Sequence, residues 1–471
     1  MVAALIKDLY SRILGGTAPA GAALATGDIG QMLKFVVSLT GGATRMEQFP
    51  AGSPAAFAAA TIPTKYTDLA TGVNADTAPN SVDVHPDNAF IARALSVTSP
   101  YVGVWRFAAV SGWGAKLSDP STAFTNGQTM AVRWHPNGNW LFVSSSVTPF
   151  LACYAFDKVN GIIGTRSTDL SGGALPTATP IKSIDISPDG LTVLVSGQAT
   201  PYVEAWAFNP ATGAWGSKYS APATLPTGLG YQAKFSLTGL QVVVGHTTAP
   251  NVTAYPWTNA SGFGTKFADP ATAPSSTVLG VDFGGDSLIL ALSGTPYIYG
   301  YPWSASGFGT KYTDPATLPG GGANALAFNR LGTHVVCSTG VSPYLDGYPV
   351  TPSGFGTKIA APTSTPANTA GGIAWAANAD GEVLIASLGA GPYAYAAPFK
   401  FGGLFIPSFS TTAVGVVALT GALKVLYSSN SKFGLRSLNY EPGTHYIPVG
   451  VDRVIFGSVV ASAKGQISGY G

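Results

Sequence analysis

A tract of the form G-[FW]-G-x-K recurs along the chain, its basic residue falling at Lys65, Lys116, Arg166, Lys218, Lys266, Lys311 and Lys358; the first copy, TIPTK, is degenerate. The steps between copies are 51, 50, 52, 48, 45 and 47 residues. A period of that length means that each repeat is one supersecondary unit that cannot bury its apolar face alone, so the fold must be a stack or a ring of such units.

Within each period the order of signals is constant. After the basic residue comes a turn (YTDLAT, LSDPST, FADPAT, YTDPAT), then a short alternating run, strand a, ending in a large apolar residue: Val84, Trp134, Ile186, Phe235, Phe283, Phe328 or Trp375. Polar reversals such as HPDN from His85, HPNG from His135 and SPDG from Ser187 follow, rich in the residues that suit tight turns. Strand b is a nearly continuous apolar run, as in TVLV ending at Val195 and LILAL ending at Leu292, which reads as a strand buried on both faces. Strand c begins at a proline: Pro100, Pro149, Pro201, Pro250, Pro296, Pro343 and Pro392. Five residues later stands an aromatic in six copies: Trp105, Tyr154, Trp206, Tyr255, Tyr301 and Tyr348. Alternation puts these on one face of the strand and apolar residues such as Val102 and Val104 on the other. A sheet apolar on both sides must be sandwiched, which blades packed around an axis achieve. The fold class expected is all-β, a seven-bladed β-propeller.

Seven a-b-c sets begin near Val82, and seven outer strands d end in the basic residue, but the first d precedes the first a. The simplest ring lends the strand near Lys65 to the last blade, whose other strands lie at about 372 to 399, a velcro closure that leaves no open edge. Three segments follow: an N-terminal docking arm over 1–57, the propeller over 58–401, and a small β-rich C-terminal domain over 402–471. In the arm, Val2, Leu5, Ile6, Leu9, Tyr10 and Ile13 fall at helical spacing, predicting an amphipathic helix over 2–14 that packs on a neighbour or on its own propeller. The last segment alternates as strands do (VGVVAL, LKVLYSS, RVIFGSVVAS).

Only 10% of the residues are charged, and the net charge is +2. No Lys/Arg cluster provides the footprint of a phosphate backbone, so nucleic acid is not an expected partner. No apolar run reaches the roughly 18 residues that span a bilayer, and the first residues lack the apolar core of a secretory signal, so neither membrane insertion nor export is expected. Cys153 and Cys337, the two cysteines, lie in distant repeats and read as buried apolar residues rather than a disulfide. The sequons at Asn251 and Asn259 carry no meaning without export.

For catalytic, cofactor-binding and metal-binding residues the expectation is none. His85, His135, His246, His334 and His445 form no short ligand spacing with Cys, Asp or Glu, and the first two occupy the same turn of successive repeats. Asp68, Asp119, Asp169, Asp269 and Asp314 follow the basic residue by three positions and read as turn formers; Ala221 and Ala361 replace two copies, and no loop offers the several carboxylates that calcium needs. The strand c aromatics fall between blades rather than on a sugar-stacking surface. No nucleophile elbow, Walker loop or dinucleotide fingerprint occurs.

The HPNG turn followed by WLFV, from His135 to Val143, resembles the a-to-b turn of the broad WD-like and lactonase-like propeller superfamily. The cadence PYxxxY(P) with GFGTKYTDPATLP, in near-identical blades of little charge, is similar to propeller repeats in structural proteins of tailed bacteriophages. That resemblance implies a non-enzymatic virion component (capsid decoration, tail, fibre or collar), made in the host cytoplasm and oligomeric in the particle. Its partners would be other virion proteins, met through the arm or the C-terminal domain, and a host surface receptor. The alternatives are a cellular protein-binding scaffold propeller and a lactonase-like propeller hydrolase, the latter marked by three or more ionisable groups converging at one channel mouth.

Overall fold

A computed structural model describes residues 60–69, 81–95, 101–378 apart from 123, 125–127, 168–169 and 171–174, then 381–389 and 394–399, with the backbone of eight further strands toward the two ends. The chain divides into two units, Ala60–Lys400 and a second formed by Met1–Ala59 with Phe401–Gly471.

In the first unit the apolar runs form six four-stranded antiparallel sheets and one three-stranded sheet, each in simple sequence order. Blade 3 is representative: Ile181–Ile186 (a), Thr192–Gly197 (b), Val203–Asn209 (c) and Ala214–Lys218 (d). Strand b is buried at every position in it, as its unbroken apolar sequence requires. Each a strand lies beside the a strands of both neighbouring blades, and that of blade 7 (Ala370–Asn378) beside that of blade 1 (Ser81–Val84), so the ring is closed around an axis lined by first strands. The cores lie between blades. Tyr154 packs with Val102 and Val104 of blade 1, and Tyr301 with Val252 and Ala254 of blade 4.

The velcro closure is visible in one hydrogen bond. The amide after the repeat's basic residue donates to a strand c carbonyl of the same blade in every copy: Leu117 to Val104, Ser167 to Cys153, Tyr219 to Ala205, Phe267 to Ala254, Tyr312 to Gly300 and Ile359 to Gly347. In blade 7, whose own chain supplies three strands (ending with Ala394–Phe399), Tyr66 N–H donates to Ala396 O at 2.8 Å. The N-terminal segment thus takes the outer position of the last blade, docked by this bond on a three-stranded sheet rather than paired as a regular fourth strand. Tyr66 also packs on Phe107, ring centroids 6.3 Å apart, and its hydroxyl donates to Ala109 O of blade 1, as Tyr219 does to Asn259 O one blade on from its own. A second tie crosses the seam, where the Asn88 side-chain oxygen accepts from Ala377 N–H and from the Arg330 guanidinium, both at 2.8 Å.

The strand b to c turns share one geometry. The residue after the proline has positive φ at all six described positions, between 63° and 70° at Tyr101, Phe150, Tyr202, Asn251, Tyr297 and Tyr344; the peptide before the proline is cis at the five described prolines, Pro149, Pro201, Pro250, Pro296 and Pro343. The expected helix over 2–14 lies outside the described residues. In the second unit, Lys34–Ser38 pairs with Thr44–Gln48, Phe57–Ala58 with Gly403–Ile406, and Leu423–Ser429 with both Lys432–Leu438 and Arg453–Ser458.

Candidate functional site

The residue just before the last large apolar residue of strand a is charged in five consecutive blades: Asp83, Arg133, Asp185, Lys234 and Asp282, followed by Ala327 and Ala374 in blades 6 and 7. Alternating signs let each charge meet its neighbour across the blade boundary. Arg133 stands 3.3 Å from Asp83 and 3.0 Å from Asp185, and Lys234 pairs with Asp282. The second oxygen of each carboxylate caps the next blade: Asp83 accepts from Trp134 N–H at 2.7 Å, Asp185 from Phe235 N–H at 2.8 Å, and Asp282 from Phe328 N–H at 2.7 Å. Strand a is the inner edge of its sheet, so these amides have no ladder partner of their own and need an acceptor. Above them Ser183 and Gln232 do the same for Ala233 and Val281. Burial works against the Arg133 charge, but Asp83, Asp185 and Asp282 more than offset it and raise its pKa above the ordinary arginine value. Burial pushes the Asp185 carboxyl above its ordinary value, against the pull of Arg133, Lys234 and the Phe235 amide.

Five ionisable groups therefore converge around the axis, a constellation the expectation of no site did not contain. The sequence signal was present, since the charges sit at one repeat position; it emerges only when the repeats are aligned on strand a. Each carboxylate gives one oxygen to an amide and faces a cation with the other, and Asp185 Oδ1, 3.0 Å from the Arg133 guanidinium, is held by charge rather than by a hydrogen bond. Removing one member should be costly, because the others stay where they are. Asp185→Ala leaves Arg133 short of one carboxylate and Phe235 N–H without its acceptor, and should cost about 2–3 kcal/mol. The Arg133→Ala/Asp185→Ala double variant should cost less than the sum of the singles, as blades 6 and 7 already tolerate alanine there; urea unfolding of all three variants in a double-mutant cycle measures the difference.

The histidines are placed for packing. His85 and His135 are buried, and each Nε2 bonds the turn carbonyl of the next blade, Gly138 O and Gly190 O, at 2.8 Å. His246 Nε2 meets Thr253 Oγ1 at 2.9 Å, and His334 Nδ1 meets Thr333 Oγ1 at 3.0 Å. For His445 the structure describes only the strand backbone, His445–Pro448. Among the described residues no three of His, Cys, Asp or Glu group as a metal site. Both cysteines are free and buried.

The repeated aspartates acquire a partner that sequence reasoning did not assign. Asp68, Asp119, Asp269 and Asp314 pair with the lysine three residues earlier, Lys65, Lys116, Lys266 and Lys311; Asp169 lies outside the described residues. Where alanine replaces the aspartate, the carboxylate moves to strand c. Lys218, followed by Ala221, pairs with buried Glu204, and Lys358, followed by Ala361, with buried Asp346 at 2.8 Å. Glu204 and Asp346 occupy the same position, three after the strand c proline, and also accept loop amides, Ala178 at 3.0 Å and Gly320 at 2.8 Å. The strand c aromatics are buried, and Tyr255, Tyr301 and Tyr348 donate to loop carbonyls at Thr224, Thr272 and Thr317. In blade 7 the tyrosine stands two residues earlier on the same face, and Tyr395 donates to Ser364 O.

No family model matches the sequence, and no curated protein does. Solved structures share the fold. A chain of hydrazine synthase from Kuenenia stuttgartiensis is similar over 70% of this chain and 98% of its own, at 12% identity and a TM-score of 0.51. The β-propeller domain of Cps50 (Swd1) from Myceliophteria thermophila is similar over 70% and 98%, at 12% identity and 0.50. A chain of a mitotic checkpoint complex is similar over 77% and 98%, at 14% identity and 0.50. At these identities the likeness is one of fold, and propellers serve varied functions.

Proposed function

We propose that this protein is a non-enzymatic structural component of a tailed-phage virion, in which the propeller is an exposed interaction module. Five ionisable groups at the axis reach the number that would mark a hydrolase; what supports the non-enzymatic reading is that they engage one another, each carboxylate accepting an amide of the next blade with one oxygen and facing a cation of an adjacent blade with the other. The virion part rests on the cadence of near-identical, weakly charged blades noted in the sequence. A scaffold role toward a cellular protein is the second reading. It is favoured by Leu191, Leu237 and Leu240, which stand 43%, 57% and 60% exposed on the a-to-b turns of adjacent blades 3 and 4.

Cryo-electron microscopy of particles from the source separates the two. The virion reading expects seven-bladed density at repeated symmetric positions; absence of the protein from purified particles rules it out. Deleting residues 1–45, which stops short of the strand that closes the ring, should leave a folded propeller and abolish incorporation. Normal incorporation of the truncated chain would move docking to the segment after residue 401.

A further inference from the structure

The strand b to c turns carry a second ring of side chains, unrelated to the axial charges. Five aromatics, Tyr101, Phe150, Tyr202, Tyr297 and Tyr344, occupy the position after the proline, with Asn251 in the sixth described turn. All six have φ between 63° and 70°, the left-handed region in which a bulky residue is costly and glycine or asparagine is the usual occupant. The turn needs only the backbone there: the Tyr202 amide donates to Ala199 O and its carbonyl accepts from Gly197 N–H, bonds that Asn251 reproduces with Thr248 and His246. The conformation therefore does not explain the aromatic side chain; Tyr101 and Phe150 pack on core clusters, but Tyr202, Tyr297 and Tyr344 belong to none, and strain retained there points to a use for the group that causes it.

The surroundings indicate what that use is. The five rings are half-buried, and among the described residues the four tyrosine hydroxyls make no hydrogen bond to the protein. Exposed hydroxyl residues stand two positions earlier, as at Thr200 and Thr295. Thr227 and Ser275, from the connections between blades, bond the carbonyls of these turns, so the connections and the turns share one face of the ring. The lysines and aspartates at the start of those connections are paired with each other. The face thus offers half-buried rings, four of them with hydroxyls and two of them, Tyr101 and Phe150, also packed on the core, separated by threonine and serine, with Lys182 beside the Tyr202 turn as a cation in no ion pair among the described residues and otherwise little charge. That is the chemistry of neutral saccharide recognition, in which a sugar's C–H face stacks on an aromatic ring and its hydroxyls exchange hydrogen bonds with phenol and threonine groups.

We propose that this face binds neutral polysaccharide through the repeated turn aromatics, each a weak site and the set reinforced by multivalency. The inference goes beyond the virion reading and stands whether the protein sits on a particle or in a cell.

The test is affinity electrophoresis of the full chain in native gels cast with mannan, dextran or galactan. The expected result is retardation by at least one of the three. The triple variant Tyr202→Asn/Tyr297→Asn/Tyr344→Asn, built on the chain's own asparagine at that position, should weaken that retardation at least tenfold while its melting temperature stays level or rises. Tyr255→Phe, at a buried tyrosine, should be retarded like the parent. Unretarded parent protein in all three gels, retardation by anionic heparin alone, or an undiminished triple variant would each overturn the proposal.

Discussion

A chain beginning at Val73 will fail to form a closed propeller, whereas one beginning at Met46 will form it. Residues 60–69 cover the outer edge of blade 7 and bury Ala60, Ile62 and Leu69, while Tyr66 packs against blade 1. Thr363 N–H donates to Ile62 O at 3.0 Å, and Tyr66 N–H to Ala396 O. Burying an aliphatic side chain is worth roughly 1.5–3 kcal/mol, so losing Ile62, Leu69 and the Tyr66 contacts together should cost about 5 kcal/mol or more. That is comparable with the whole stability of many domains. The truncation also bares the edge of Ala394–Phe399, which invites pairing with another chain. Urea unfolding followed by tryptophan fluorescence should show a cooperative transition for the longer chain and aggregation or a broad, early one for the shorter. A synthetic peptide spanning 58–70 should restore the transition in trans. Equal midpoints for the two chains would mean that the seam contributes nothing to closure.

That the first outer strand belongs to the last blade was legible in the sequence because it is a counting result: seven d strands and seven a-b-c sets, offset by one. The axial ring was not legible in the same way. Asp83, Arg133, Asp185, Lys234 and Asp282 are single charges about fifty residues apart, and their pairing depends on strand a of one blade facing strand a of the next. The loop aspartates were visible as turn residues, yet their partner is a lysine whose orientation depends on the outer strand. Glu204 and Asp346 explain the alanines at Ala221 and Ala361 only once strands c and d are in register. The turn aromatics were visible as the PY of the repeated cadence, but their backbone was not, since left-handed φ is ordinarily announced by glycine or asparagine.

These observations share one physical cause. A propeller has little backbone hydrogen bonding between blades, so side chains must supply it, and a weakly charged chain places its few charges where they do so. Asp83, Asp185 and Asp282 cap amides, His85 and His135 reach turn carbonyls, and the strand c tyrosines hold the incoming connections. Polar groups buried in this way are costly to deprive of a partner.

Between pH 6.5 and 4 the propeller should therefore lose several kcal/mol of stability, with His246 and His334 as the main source. Burial lowers the pKa of each from 6.5 to about 4, with small opposing contributions at His246 from backbone bonds and Asp269. The native state refuses a proton that the unfolded chain accepts, so the stability present above pH 6.5 drains away as the pH falls toward 4. Moving from 6.5 to about 4 corresponds to roughly 3 kcal/mol for each histidine. Asp185, raised by burial, titrates in the opposite sense and trims the loss. Asp189, lowered from 3.8, loses its contribution only below that window. Urea midpoints at pH 7 and pH 4.5 should differ strongly in the parent chain and far less in His246→Gln/His334→Gln. Glutamine keeps a hydrogen-bonding side chain for Thr253 and Thr333 and does not titrate, so a variant weaker at pH 7 yet flat across the window isolates the proton-linked part. An unchanged pH slope would assign the acid sensitivity to carboxylates instead.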